Sequence, residues 1–243
     1  MRVYGELNDF LKPEQRDSEF ELHLKEPRSV KDLIESIGIP HTEVDYIIVN
    51  EVYVGFDFAI KASDRVNLYP QSKHPENILP LVHCQTTLIS EPHFVLDVHL
   101  GRLAAYLRMM GFDTLYRNNY DDPRLANISA QEQRILLTCD RQLLMRKQVS
   151  HGYFVRSRQP GQQLLEIMKR FNLHEKQKPF TRCMHCNGKT RPVEKREIEQ
   201  QLQPKTRRYY HEFYQCTQCK KIYWHGSHYR KMQNLINGIK TQL

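Results

Sequence analysis

Two short apolar runs, each leading into an aspartate, constrain this chain more than any other feature. Phe94-Val95-Leu96 runs directly into Asp97, and Ile135-Leu136-Leu137-Thr138 reaches Asp140 one residue further on. Apolar runs this short read as buried strands. Between them, Leu100, Leu103, Ala104, Leu107 and Met110 recur at three- and four-residue spacing, the mark of one helical face, and Gly111 follows as a left-handed stop. Residues 112–116 form a second strand candidate. Asp122 before Pro123 reads as a helix N-cap followed by the residue best tolerated at the first helical position. Ser129 and Glu132 stand at capping-box spacing, predicting a short helical turn before a strand at 134–138. A helix through Leu143 and Leu144, a strand at 153–155 and a helix at 162–171 continue the alternation. The pattern predicts an α/β domain of three layers around a mainly parallel sheet. Ligands bind such sheets beyond the carboxyl ends of the strands, so Asp97 and Asp140 are candidates to share a divalent cation.

Residues 1–90 carry 9 Lys and Arg against 15 Asp and Glu, a net −6, whereas residues 91–243 carry 27 against 13, a net +14. The basic part suits a polyanion, whose phosphates would be neutralised by Lys and Arg; simple solubility is the plainer alternative. No window approaches the 18 to 20 apolar residues of a membrane span, and the first residues lack a basic stretch followed by an apolar one. A cytoplasmic protein with no membrane partner is therefore expected. Four of six cysteines form two CxxC pairs, while Cys84 and Cys139 stand apart, a pattern of metal binding rather than of a disulfide framework.

Residues 1–70 predict strands at 2–7, 20–24, 46–50 and 66–69 around a helix at 29–37, capped by Ser29 and ended by Gly38. This ββαββ order resembles the β-grasp fold of small sulfur carriers, through the runs Val30-Lys31-Asp32-Leu33-Ile34 and Tyr46-Ile47-Ile48-Val49-Asn50. Those carriers end in Gly-Gly, whereas here Leu68-Tyr69-Pro70 continues into further chain, so the resemblance implies a ubiquitin-like docking or packing domain. Residues 71–92 read as a linker, residues 93–176 as the α/β domain and residues 177–243 as a separate basic module.

In that last module Cys183 and Cys186 are followed, after 29 residues, by Cys216 and Cys219. Each pair can place two thiolates on one side of a tight turn, and four thiolates satisfy the tetrahedral preference of Zn²⁺ with no position left open, a structural site. Reduced thiols in redox use are the alternative, and His185, His225 and His228 are alternative ligands. Between the pairs, Arg191, Lys195, Arg196, Lys205, Arg207 and Arg208 interleave with Tyr209, Tyr210, Phe213 and Tyr214. Cations that track phosphates and rings that stack on bases suit single-stranded nucleic acid; a small aromatic core around the metal would use the same rings differently.

Residues 94 to about 235 resemble the Mut-seven C-terminal RNase family, a PIN-like nuclease domain fused to a zinc ribbon. The likeness is carried by Asp97 to Ala104, Leu107 to Thr114, Arg134 to Arg141, the CxxC pairs and Tyr223-Trp224-His225-Gly226-Ser227-His228. Residues 1–70 resemble the ubiquitin-like domain sometimes found ahead of it. The resemblance implies a metal-dependent ribonuclease with single-stranded RNA as partner, a structural Zn²⁺ and a catalytic Mg²⁺ or Mn²⁺. Asp97 matches the first-strand aspartate of PIN-like sites and Asp140 the aspartate of their Thr-x-Asp element. Asp122 and Glu132 are candidates for the intervening acidic positions, alongside their plainer roles in capping. PIN nucleases often carry a further aspartate soon after Thr-x-Asp, but here no carboxylate occurs between Asp140 and Glu166, which leaves the number of metal ions open. Arg102, Arg108 and Arg141 are candidates to grip phosphate or to neutralise the acids, and Arg207, Arg208, Trp224 and His228 to hold RNA. The competing class is a non-catalytic RNA- or ribonucleoprotein-binding protein, with a protein partner taken through the β-grasp domain.

Overall fold

The computed structural model describes residues 1–24, 26–73 and 91–243. Most of the expected linker, with Cys84, lies outside the described residues. Packing groups the chain differently from the segmentation above. One compact unit joins the N-terminal part to Asp121–Phe154, and the other joins Glu91–Tyr120 to Val155–Leu243.

The elements, in chain order, begin with β1 (Arg2–Val3), β2 (Arg28–Ser29), α1 (Val30–Ser36), β3 (Tyr46–Val49), β4 (Val52–Tyr53), β5 (Ala59–Ile60) and β6 (Val66–Tyr69). Then follow β7 (Phe94–Leu96), α2 (Gly101–Met109), β8 (Thr114–Leu115), α3 (Asp122–Gln131), β9 (Ile135–Thr138), α4 (Arg141–Leu144), β10 (Gly152–Phe154) and α5 (Pro160–Arg170). The last are β11 (Thr190–Val193), α6 (Lys195–Ile198), α7 (Pro204–Tyr209), β12 (Phe213–Cys216), β13 (Ile222–Trp224) and α8 (Ser227–Lys240).

In the first unit, one sheet has the order β1-β6-β3-β4, with β1 parallel to β6 and the other pairs antiparallel. Period-two alternation sends Val3, Ile47, Val49, Val66 and Leu68 into one core with Val30, Leu33 and Ile34 of α1. This is the ubiquitin-like β-grasp. Two of the predicted strands fall short for one reason. Gly5 adopts φ +57° and turns the chain into a 3₁₀ helix at Gly5–Phe10, so β1 is two residues long rather than six. With so little edge to pair against, residues 20–24 form no strand, and a single bridge between Arg2 and Glu19 marks where the ladder would have run.

The same unit holds β9 and β10 in parallel, in register from Gly152 opposite Leu136 to Phe154 opposite Thr138. Asp121, not Asp122, caps α3, its carboxylate accepting the Arg124 N–H at 2.9 Å. Ser129 is inside α3 rather than at the start of a new turn, with its hydroxyl on the Arg134 carbonyl at 2.7 Å, so the capping-box reading fails. The β-grasp is fastened to this segment at three points. Glu43 accepts the Phe154 N–H at 2.7 Å, the His41 Nε2 lies 2.8 Å from the Val149 carbonyl, and Phe154 packs against the β-grasp core.

In the second unit β7 and β8 are parallel, Phe94 opposite Thr114. Leu103, Ala104 and Leu107 of α2 are fully buried, and α2 packs against α5. Gly111, at φ +96°, lets the chain double back where the Lys178 carbonyl oxygen stands 2.2 Å from the place of a Cβ. The module that follows is a three-stranded antiparallel sheet, β11-β12-β13, with α8 packing on α5. Helices α6 and α7 occupy the span between the CxxC pairs, where the sequence reading placed no helix, and α8 closes the module.

Candidate functional site

The four CxxC cysteines converge. Their Sγ atoms all lie within 4.8 Å of one another, with Cys183 and Cys219 at 3.6 Å and Cys186 and Cys216 at 3.4 Å. Zn–S bonds of about 2.3 Å at tetrahedral angles put sulfurs about 3.8 Å apart, so this quartet fits such an ion. Among the described residues it is the group of three or more Cys, His, Asp or Glu whose donor atoms meet at one point. Local chemistry prepares one thiol: burial pushes Cys183 up, yet the Tyr223 hydroxyl at 3.1 Å and the Cys186 and His185 backbone N–H groups bring it down to about 7. Burial instead pushes Cys219 up to about 12. A bound divalent ion would override both tendencies by deprotonating its thiol ligands. Gly188 lies so close to this centre that a Cβ there would sit 3.0 Å from Cys216 Sγ and 2.9 Å from the Gln218 amide.

The first knuckle is clamped to α2 and β8. Arg108, expected to grip phosphate, is only 4% exposed; its Nε donates to the Thr114 carbonyl at 2.9 Å, and its Nη1 to the Met184 and His185 carbonyls at 3.2 and 2.9 Å. The structure thus makes it a strut under the knuckle, and His185 contributes its carbonyl there. Asn187, left-handed at φ +72°, accepts the Thr114 N–H at 3.0 Å and donates to Asp113 at 2.9 Å; Asp113 also pairs with Arg182 at 3.0 Å. Sequence reasoning gave no role to Asp113, Arg182, Asn187 or Tyr223, although Asp113 and Tyr223 lie in the stretches that carry the family likeness. Their one signal is that Asn187 directly follows a knuckle cysteine, where the chain must turn left-handed.

The acidic positions are placed as follows. Asp97 stands directly beyond β7, 7% exposed, at the start of a 3₁₀ turn whose backbone it does not cap. Asp140 stands beyond β9, exposed, its N–H donating to Thr138 Oγ1 at 2.9 Å and its carboxylate accepting the Gln142 N–H at 2.8 Å. Asp122, relieved of capping by Asp121, is 49% exposed and faces Arg146 at 3.8 Å. Helix α3 packs on β9 and leads into it, so its ten residues, about 15 Å long, return the start of the helix to the Asp140 end of the strand. Glu132 does not share that end. It precedes β9, pairs with Arg134 at 2.7 Å, and is separated from the Asp140 end by the run of the strand, about 13 Å.

Arg141, the second expected phosphate contact, is engaged elsewhere. Its guanidinium donates to the Phe10 and Asp9 carbonyls at 3.2 and 3.4 Å and lies over the Phe10 ring at 4.9 Å, another tie to the β-grasp. Arg102 is exposed on α2. In the ribbon Arg207 and Arg208 are exposed on α7 beside Tyr209, which is 65% exposed; Trp224 ends β13 at 37% exposed, and His228 lies in the first turn of α8.

Parallel strands β7 and β9, each followed by an aspartate, a four-cysteine ribbon fastened to α2 and β8, and a ubiquitin-like N-terminal fold define the class: an α/β chain with an added ribbon. The family model for the Mut7-C RNAse domain matches residues 92–236, and that for the Mut7-C ubiquitin domain matches residues 1–76. The chain belongs to the Mut7-C RNAse domain family. No curated protein and no solved structure matches it. Among the described residues no helix is long and apolar enough to cross a membrane.

Proposed function

We propose that this chain is a metal-dependent ribonuclease that hydrolyses RNA phosphodiester bonds, with its zinc ribbon assisting RNA binding. The observation that carries the reading is the Mut7-C RNAse match over residues 92–236, within which Asp97 and Asp140 each stand just beyond a parallel strand. Asp97 and Asp140 would hold Mg²⁺ or Mn²⁺, whose preference is for hard oxygen donors. When bound, the ion supplies activation of water and screening of charge on phosphorus. The chain's own part is to fix the acids. Burial of Asp97 against the end of β7 and the Thr138 and Gln142 bonds around Asp140 restrict both carboxylates. Four thiolates with no open position make the zinc structural. The β-grasp, fastened through Arg141, Glu43 and His41, acts first as a packed domain, and a protein partner would use its remaining surface.

Cleavage of an end-labelled mixed-sequence RNA in Mn²⁺, Mg²⁺ or EDTA, with RNA affinity measured in parallel, tests this. Asp97→Asn and Asp140→Asn should each lower cleavage by at least about a hundredfold at unchanged affinity. Tight binding with no metal-dependent cleavage, on structured as well as unstructured RNA, would leave the non-catalytic RNA-binding protein as the better reading.

A further inference from the structure

The ribbon contains a cavity of about 330 Å³ that the proposed chemistry does not use. Phe180, Tyr214, Trp224, His225, Tyr229 and Arg182 line it. Four of the rings form a continuous chain, with Trp224 in the wall beside them: Phe180 lies 4.6 Å from Tyr229, His225 lies 4.1 Å from Tyr229, and Tyr214 lies 5.9 Å from His225. A purely structural aromatic cluster would close on itself. This one leaves a recess at the small end of the range for ligand sites. The recess depends on Gly226, because a Cβ there would meet Trp224 Nε1 at 2.8 Å. It also depends on the cysteine centre, because Tyr223 lines it and its hydroxyl lies 3.1 Å from Cys183 Sγ.

The surroundings select the occupant. Residues 177–243 carry 14 Lys and Arg against 4 Glu, a net +10, so the ligand is anionic. Arg182 brings a flat guanidinium whose charge is already met by Asp113 at 3.0 Å, so the recess itself offers planar faces and little net charge. A flat, nearly neutral ring on a strongly anionic backbone meets both conditions. We infer that the recess takes one unpaired nucleobase of a single-stranded RNA, stacked among these rings while the lysines and arginines of the ribbon hold its phosphates. This rests on the reading of the chain as an RNA-binding nuclease and adds where the strand is anchored. Anchoring by a stacked base predicts tolerance of sequence and a demand for unpaired strand, since a base in a duplex cannot enter.

The chain has a single tryptophan, Trp224, in the wall of the recess, so its fluorescence reports occupancy directly. The full-length protein is titrated with a single-stranded octaribonucleotide and with an abasic strand of the same backbone, while anisotropy of a labelled strand measures affinity. The RNA should quench Trp224 and the abasic strand should not. Trp224→Ala should weaken RNA binding about tenfold without altering its salt dependence, and Trp224→Phe should restore most of the affinity. Strong RNA binding without quenching, equal affinity for the abasic strand, or an unaffected Trp224→Ala would overturn the base site while leaving RNA binding intact. Quenching by an acidic peptide as strong as that by RNA would also overturn it. Absence of any binding in the anisotropy channel would instead remove the RNA reading on which the inference stands.

Discussion

Replacing Arg108 by Met tests how the ribbon is held to α2 and β8. The substitution keeps most of the side-chain volume and removes the donors that serve three carbonyls. Of these, the bond to Thr114 is buried and those to Met184 and His185 are partly buried. An orphaned buried carbonyl costs about 1–3 kcal/mol and each partly buried bond about 0.5–1.5 kcal/mol, so the total is about 2–6 kcal/mol. For a chain of this length, at about 2–4 °C per kcal/mol, that corresponds to a fall in melting temperature of about 4–24 °C. The damage should centre on the first knuckle, so the same variant should surrender zinc at a lower chelator concentration. Thermal unfolding and a colorimetric zinc-release titration measure the two effects. Arg102→Met, on the exposed face of the same helix, should change neither, and Arg108→Lys, one head in place of a fork, should fall between. A melting temperature within about 2 °C of wild type, together with unchanged zinc release, would refute the strut.

The His41 imidazole is held below its ordinary pKa by burial and by Lys31, against the opposing pull of the Val149 carbonyl and Glu35. A base whose folded pKa is lowered binds fewer protons folded than unfolded, so its contribution is complete above about pH 6.5 and is lost as pH falls toward the folded value. Urea unfolding from pH 7.5 to 5.5 should show this decline, and His41→Gln should flatten it; an equal slope in the variant would assign the titration elsewhere. Two glycines should respond in opposite directions. Gly111→Ala combines φ +96° with the Lys178 carbonyl at 2.2 Å and should cost at least about 2 kcal/mol, whereas Gly238→Ala, in open space within α8, should gain up to about 1 kcal/mol; chemical denaturation measures both.

Local signals were enough for the helices and strands whose residues pack alone. The apolar face from Leu103 to Leu107, the stop at Gly111 and the four cysteines at paired spacing each carry their own geometry, and the ubiquitin-like and ribbon folds followed. Other features depend on residues far apart in sequence. The fate of Arg108 and Arg141 was hidden because a guanidinium near an acidic motif reads the same whether it meets phosphate or a carbonyl; Met184 and His185, which hold Arg108 to the knuckle, and Phe10, which holds Arg141, lie more than seventy residues away. Asp122 and Asp121 are both plausible caps on local grounds, and only the backbone angles decide between them. Glu132 stands at the opposite end of β9 from Asp140 because the direction of a strand, not sequence distance, sets which end a side chain occupies. The recess around Trp224 has the same character, since its rings come from residues 180, 214, 225 and 229 as well.

The bond from the Thr114 N–H to Asn187 has a further consequence for synthesis. The edge of β8 is complete only after a side chain 73 residues later has left the ribosome. At ordinary elongation rates that is a wait of about 4–15 s. During that interval β8 presents an open donor to any passing strand, and arrival of the cysteine knuckle closes it.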